Sequence, residues 1–352
     1  MHEIVANIHM HSRFSDGSGT HTEIAQAAIR AGIDVVIVTD HNVLVQGISG
    51  YYGEGHHKVL LLTGQEVHDQ ARQPQKNHLL VLGAGQEMAQ HARDPQRLID
   101  AVRAAGGLSF LAHPFDLEAP LVGGDDISWV DWDVQGYTGV ELWNSLIEMK
   151  PLLRNWLKAY FYAYFPGYIS RGPFPEMIAK WDQLLNAGQR VVALGGSDAH
   201  AWPVDMGPIH KKIFPYEFHF SAINDHLLLR EPLSGDWQAD AALVYEALAA
   251  GRVFIGYELP YPTRDFHFSA ESGVQRATMG EELRLDGQAV LRVSTPLCGI
   301  VHLMHNGQLL KEVESDALRV EIDQPGVYRV EAYQRYKGRQ RAWIMSNPIY
   351  II

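Results

Sequence analysis

Over the first 200 residues, short apolar, β-branched runs alternate with helical stretches, the pattern of a parallel α/β sheet or barrel. Ile4–Ile8 reads as a first strand. Thr20-His21-Thr22-Glu23 has the spacing of a capping box, and Ile24–Ala31 followed by Gly32 reads as a helix with a glycine stop. Asp34–Thr39 then closes a βαβ unit. Further strands are predicted at Val59–Leu62, Leu79–Leu82, Leu108–Ala112, Gly139–Trp143 and Arg190–Leu194, with helices over Pro95–Ala105, Leu152–Tyr162 and Glu176–Ala187. The aromatic stretch Trp156–Tyr168 is expected to pack as core or as a lid.

From about Asp265 the texture changes to alternating short strands with turn residues. Phe266–Ser269, Ala289–Val293, Gly299–Met304, Leu318–Ile322, Val327–Tyr333 and Arg341–Met345 read as strands, and Asn306-Gly307 is a strong hairpin signal. The expected organisation is a (β/α) domain over residues 1–260 and a separate all-β sandwich over 265–352, joined across Leu259-Pro260-Tyr261-Pro262-Thr263.

Charge and composition narrow the function classes. With 41 acidic against 29 basic side chains, the formal charge is −12, and no Lys/Arg-rich run is present. Nucleic acid is therefore disfavoured as the main partner, because duplex binding is driven by basic counterion release. Cys298 is the single cysteine, and the first residues lack the basic start and apolar run of a signal peptide. No apolar run approaches the roughly 18 residues of a spanning helix. A cytoplasmic protein with no membrane partner is expected.

Histidine changes the picture most: 11 of 18 lie in the first 120 residues. Acids and imidazoles also cluster at the carboxyl ends of the predicted strands. His9, His11 and Asp16 follow the first strand, Asp40 and His41 the second, and Glu66 the third. His113 follows the fifth, Asn144 the sixth, and Asp198 and His200 the seventh. In an α/β barrel these ends converge on one mouth. In an extended segment the side chains of His9 and His11 point to the same side, as do those of Asp198 and His200. Mixed imidazole and carboxylate donors without cysteine suit an open catalytic site for zinc, iron or manganese. More than four candidate ligands imply more than one divalent ion.

In this order, His9-x-His11-x-x-x-Ser15-Asp16-Gly17, Thr39-Asp40-His41, Glu66, His78, His113-Pro114 and Ser197-Asp198-Ala199-His200 resemble the motifs of the PHP (polymerase and histidinol phosphatase) superfamily. The resemblance spans about residues 5–205. Thr63–Val67, Asn77–Gly83, Glu141–Asn144 and Phe214–Phe218 are further similar to its CehA/McbA-type branch. The resemblance implies a distorted seven-stranded (β/α) barrel holding two or three divalent metals. It implies one metal on His9, His11, Glu66 and Asp198, a second on Glu66, His78 and His113, and a third on Asp16, His41 and His200, with Glu66 bridging. Asp198, His200 and Glu66 are the side chains expected to act in catalysis. Asp40 is read as a partner orienting a ligand ring, or as a helix cap. His78 precedes its apolar run instead of following it. Either Glu66–Leu82 forms an antiparallel excursion that returns His78 to the site, or His78 does not belong to it; the short spacing favours the excursion.

Metal-activated water is the expected nucleophile and hydrolysis the expected reaction, because no G-x-S-x-G elbow or P-loop is present and Cys298 lies in the β-rich part. The expected partner is a small-molecule ester, with a phosphoester preferred and a carboxyl ester or carbamate as the alternative. A non-catalytic metal-binding regulatory module is a further alternative. Asn144, Arg171, His68 and His210 are candidate substrate-binding residues: Arg171 as a phosphate clamp, His68 and His210 as proton donors.

Overall fold

The protein is described here by a computed structural model covering residues 1–207 and 209–352. It opens with β1 (His2–Ile8), α1 (His21–Ala31) and β2 (Val35–Val38). The Thr20–Glu23 capping box forms as its spacing predicts, and Gly32 ends α1 in the left-handed conformation. A hairpin of β3 (Gly50–Glu54) and β4 (His57–Thr63) follows, and β4 pairs in parallel with β2.

Next come β5 (Gln65–Val67), β6 (Leu79–Leu82), α2 (Pro95–Ala104), β7 (Leu108–Leu111) and β8 (Gly139–Asn144). After α3 (Trp156–Tyr164) and α4 (Pro175–Asn186), β9 (Val192–Gly196) completes the order β5-β6-β7-β8-β9 of a second sheet. β5 and β6 pair antiparallel with Glu66 opposite Leu80, so the excursion returns His78 to the level of Glu66.

The expected closed barrel does not form. β1 gives its second edge to the antiparallel β12 (Ile223–Leu229), so β9 cannot pair along it. Among the described residues, the isolated parallel bridges Met10–Ala199 and His41–Glu66 join the two arcs at the mouth. Ser197 N–H donates to the Ile8 carbonyl at 3.1 Å, and Asn42 N–H to the Glu66 carbonyl at 3.0 Å. Ile8, Ile37, Leu62, Leu80, Phe110, Leu194 and Leu227 fill the space between the arcs. Burial of such side chains is the dominant favourable term in folding.

Beyond β9 lie a hairpin of β10 (Trp202–Met206) and β11 (Ile209–Ile213), then α5 (Tyr216–Phe220), α6 (Trp237–Ala250) and β13 (Val253–Tyr257). The β-rich remainder consists of β14 (His267–Ser272), β15 (Gln275–Thr278), β16 (Glu282–Leu283), β17 (Ala289–His305), β18 (Gln308–Ile322), β19 (Gly326–Tyr336), β20 (Arg339–Ser346) and β21 (Ile349–Ile351). It has its own core around Phe268, Leu291, Leu303, Val330 and Trp343. Its sheet is continuous with the first one, because β20 pairs with β13 through Phe254 and Ser346. The two strands expected at 289–293 and 299–304 are one long strand, β17, with an irregularity in its register between Ser294 and Gly299.

α3 departs from expectation in two ways. It starts at Trp156, where the Asn155 side chain caps it by accepting the Lys158 N–H. Its aromatics are not core: only Ala159 and Ala163 are buried, while Trp156, Tyr160, Phe161 and Tyr164 are exposed.

A buried knot ties β1, β12 and the segment after β13. Between the His226 ring and carboxylate oxygens, Nδ1 lies 2.6 Å from Glu3 and Nε2 3.0 Å from Glu258. Burial acts to lower the His226 pKa, but these two acids raise it; burial acts to raise theirs, but His226 lowers them. The imidazolium contribution is complete below the ordinary 6.5 and is lost as pH rises through the raised value. The carboxylate contribution is complete above the ordinary 4.5 and is lost as pH falls through the lowered values. His226→Gln is expected to lower stability by about 1–3 kcal/mol. Melting temperatures across pH should show the deficit largest between the two ordinary values and shrinking in alkali; a deficit constant with pH would refute the charged pairing.

Candidate metal centre

Glu66 lies at the centre of the mouth, carried by β5 and fully buried. Its Oε1 is 2.8 Å from His78 Nδ1 and 2.9 Å from His113 Nε2. Its Oε2 is 3.1 Å from His41 Nδ1, 3.2 Å from His9 Nε2 and 3.3 Å from His11 Nε2. Asp198 Oδ1 lies 3.3 Å from His11 Nε2 and 3.5 Å from His9 Nε2. Asp16 Oδ1 lies 3.2 Å from His200 Nε2 and 3.7 Å from His41 Nε2. Every residue predicted as a ligand is therefore brought to one place.

The local backbone that achieves this is not the extended one expected. φ is 66° at His9, 29° at His113 and 50° at Asp198, all on the positive side that non-glycine residues rarely adopt. The alternation argument for His9 with His11 and for Asp198 with His200 therefore does not apply. The chain turns at each strand end instead, a strained conformation held by the surrounding structure. The Asp40 carboxylate supplies part of that hold, accepting from Ser12 N, Ser12 Oγ and Ser15 Oγ, each at 2.7 Å, and so fixing the loop that carries Asp16. Gly17 lets this loop close, since a Cβ there would lie 2.1 Å from the His11 carbonyl oxygen.

Glu141 is the functional residue that strand-end reasoning missed. It sits inside β8, is buried, and its Oε1 accepts from His9 Nδ1 at 2.7 Å. Its Oε2 accepts from His113 N–H at 2.6 Å and from Asn144 Nδ2 at 3.0 Å. Accepting the Nδ1–H of a neutral His9 ring in this way places the lone pair on Nε2, facing Glu66 and Asp198. Gly196 on the neighbouring strand makes room for it, since a Cβ there would lie 1.5 Å from Glu141 Oε1.

The four candidate substrate-binding residues separate. The Asn144 side chain bonds Glu141 and Asp198 with Nδ2, and its Oδ1 accepts from Leu146 and Ile147, so it braces the ligands. His68 does reach the cluster: its ring stacks on His78 at 4.2 Å. Arg171 lies apart, lining a cavity of about 390 Å³ with Glu148 and Tyr333. His210 pairs with Asp205 at 2.6 Å on the exposed hairpin.

The electrostatics follow from burial and mutual pairing. Burial alone would raise the Glu66 and Asp198 pKa values, but the surrounding imidazoles hold both well below the carboxylate range. Burial would lower His11, but Asp198 and Glu66 bring it to about 9. Burial dominates at His78 and His68, which fall to about 4 and about 3.

The cluster fits divalent metal. His9 Nε2, His11 Nε2, His41 Nδ1 and Glu66 Oε2, which face one another, are buried without a hydrogen-bond partner, a costly arrangement that a cation would relieve. Donor atoms lie within 4.8 Å of one another in overlapping sets, among them His9 with His11 and Glu66, Glu66 with His78 and His113, and His11 with Asp16, His41 and His200.

Fold and donor set together define a metal-binding α/β protein. Residues 7–103 match the PHP domain family, and the chain carries a PHP domain there. That match takes in the ligand candidates from His9 to His78. No curated protein matches the chain. Similar solved structures include a two-domain protein from Bacteroides vulgatus described as containing a PHP-like metal-dependent phosphoesterase. It has 15% identity and a TM-score of 0.43, with 99% of this chain and 95% of that one covered. A protein from Bifidobacterium adolescentis described as a metal-dependent phosphoesterase has 16% identity and a TM-score of 0.34, with 59% and 92% covered. An amidohydrolase from Chromobacterium violaceum has 16% identity and a TM-score of 0.31, with 61% and 96% covered.

Replacing Glu141 by Gln, which keeps the shape but weakens the bond to His9, is expected to lower metal affinity about 10- to 100-fold. Competition with a chromophoric chelator measures it, and unchanged affinity would show that Glu141 does not orient a ligand. Gly196→Ala should have at least as large an effect, by displacing the same carboxylate.

Proposed function

We propose that the chain is a metal-dependent hydrolase acting on a small-molecule phosphoester. The observation that carries this reading is a single buried carboxylate, Glu66, surrounded by five imidazoles, three of which, His9, His11 and His41, face it with nitrogens that have no hydrogen-bond partner. His9, His11, Glu66 and Asp198 would hold one divalent cation, Glu66, His78 and His113 a second, and Asp16, His41 and His200 a third. Zinc, manganese and iron all suit these donors. Such cations, when bound, lower the pKa of water towards neutrality and offset negative charge on a phosphoryl group.

The protein's own groups prepare that chemistry. Glu66 can serve two cations because a carboxylate has two oxygens, and the imidazoles set the spacing around it. Glu141 fixes the His9 tautomer, while Asn144 holds Asp198 from behind. The Asp16 side chain, 47% exposed, marks the solvent side from which substrate arrives. His68, buried against His78 and neutral at physiological pH, suits a hydrogen bond to substrate. Arg171 and His210 have no part here, since neither reaches the cluster.

The test compares an aryl phosphate with an aryl carboxylate or carbamate ester, using protein loaded with zinc, manganese or iron. Phosphate turnover is expected, reduced by at least about 100-fold in Asp198→Ala, beyond the upper range for losing an outer partner of a ligand. Turnover of the carboxyl ester or carbamate alone would replace the phosphoester reading. Metal binding without turnover of either would point to a binding module.

A further inference from the structure

α3 presents its large apolar side chains to solvent and its small ones to the protein. At 3.6 residues per turn, Trp156, Tyr160, Tyr164, Leu157 and Phe161 fall on one half of the helix, with Ala159 and Ala163 on the other. The alanines are buried against Leu153 and Ile209, while Leu157 is 79% exposed and Phe165, just past the helix end, 52%. Single exposed apolar residues are ordinary, but a continuous apolar half-helix marks an interaction surface.

Its charge identifies what it fits. From Pro151 to Pro175 the chain has no Asp or Glu, yet it carries Arg154, Lys158 and Arg171, in a protein of net charge −12. Two further cations approach from other elements. Lys211 of β11 places Nζ 5.0 Å from the Tyr164 ring centroid, and Lys337, after β19, places Nζ 4.6 Å from that of Tyr168. Trp and Tyr combine an apolar body with a polar edge, and Lys reaches past apolar surface to an anion; both favour the boundary between lipid chains and headgroups. A basic helix with Trp, Phe and Leu on its apolar face is built to lie in that boundary. No helix among the described residues is long and apolar enough to cross a membrane, so the contact would be peripheral.

We propose that α3, with Lys158, Lys211 and Lys337 around it, docks the protein on an anionic lipid surface. The same patch adjoins the metal mouth: α3 packs on the β10–β11 hairpin, whose Trp202 ring lies 4.0 Å from that of His200. Docking would therefore bring the mouth close to the lipid headgroups. This revises the expectation of no membrane partner, which rested on the absence of a spanning run.

The experiment is co-sedimentation of the whole protein with vesicles of phosphatidylcholine alone and of an equal mixture with phosphatidylglycerol, reading binding and not activity. Binding to the mixed vesicles alone is expected, with a blue shift of tryptophan fluorescence that Trp156→Gln diminishes. Lys158→Gln and Lys211→Gln should each weaken partitioning about fivefold, the worth of one basic residue at an anionic surface. Leu157→Gln, at the most exposed position of the helix, keeps the test free of folding effects and should also weaken binding. No binding to mixed vesicles, equal binding to both kinds, or binding unchanged in Leu157→Gln would overturn the proposal. So would a concentration-dependent dimer, abolished by Leu157→Gln, that competes with vesicles, since the patch would then belong to a second copy.

Discussion

Placing one carboxylate at full burial is the constraint around which this structure is organised. Glu66 has no water to solvate it, and an isolated buried charge of that kind would neutralise itself. Here five imidazoles from four separate chain segments supply the compensation. Each of those segments must end where it does, so the strand lengths, the antiparallel return to His78 and the turned backbones at His9 and His113 all answer to one oxygen pair. The energetics are those of a polar network that is worth its cost only when complete.

The outer supports extend the same logic. Glu141 fixes one ring, Asp40 fixes the loop that carries Asp16, and Asn144 steadies Asp198, so the side chains of the cluster are held from behind.

The cluster was legible in the sequence because acids and histidines at strand ends stand out against apolar runs, and their order along the chain was distinctive. Glu141 was not, because it lies within a strand that reads as core and its role depends on a glycine in a different strand. β12 was missed for a related reason: Ile223-Asn224-Asp225-His226-Leu227 is buried throughout, polar residues included, so no alternation marks it. Closure of the barrel was overestimated because the competing antiparallel pairing of β1 with β12 is a contact between distant segments that local pattern does not reveal. At α3 the helix was read from composition and its aromatics as core or lid; they are not core, because the small Ala159 and Ala163 take the inward face.

One of the backbone rungs that join the two arcs at the mouth is Met10 with Ala199. Ligands from the first strand are thus synthesised long before the segment that completes their surroundings. His9 and His11 emerge with the start of the chain, yet Asp198 and the bridging backbone of Ala199 arrive only after every strand of the second sheet has been made. Such distant contacts are entropically late. The mouth accordingly cannot become whole before residue 199 is in place, and a nascent chain released before residue 200 would carry most of the clustered side chains without the seam that gathers them.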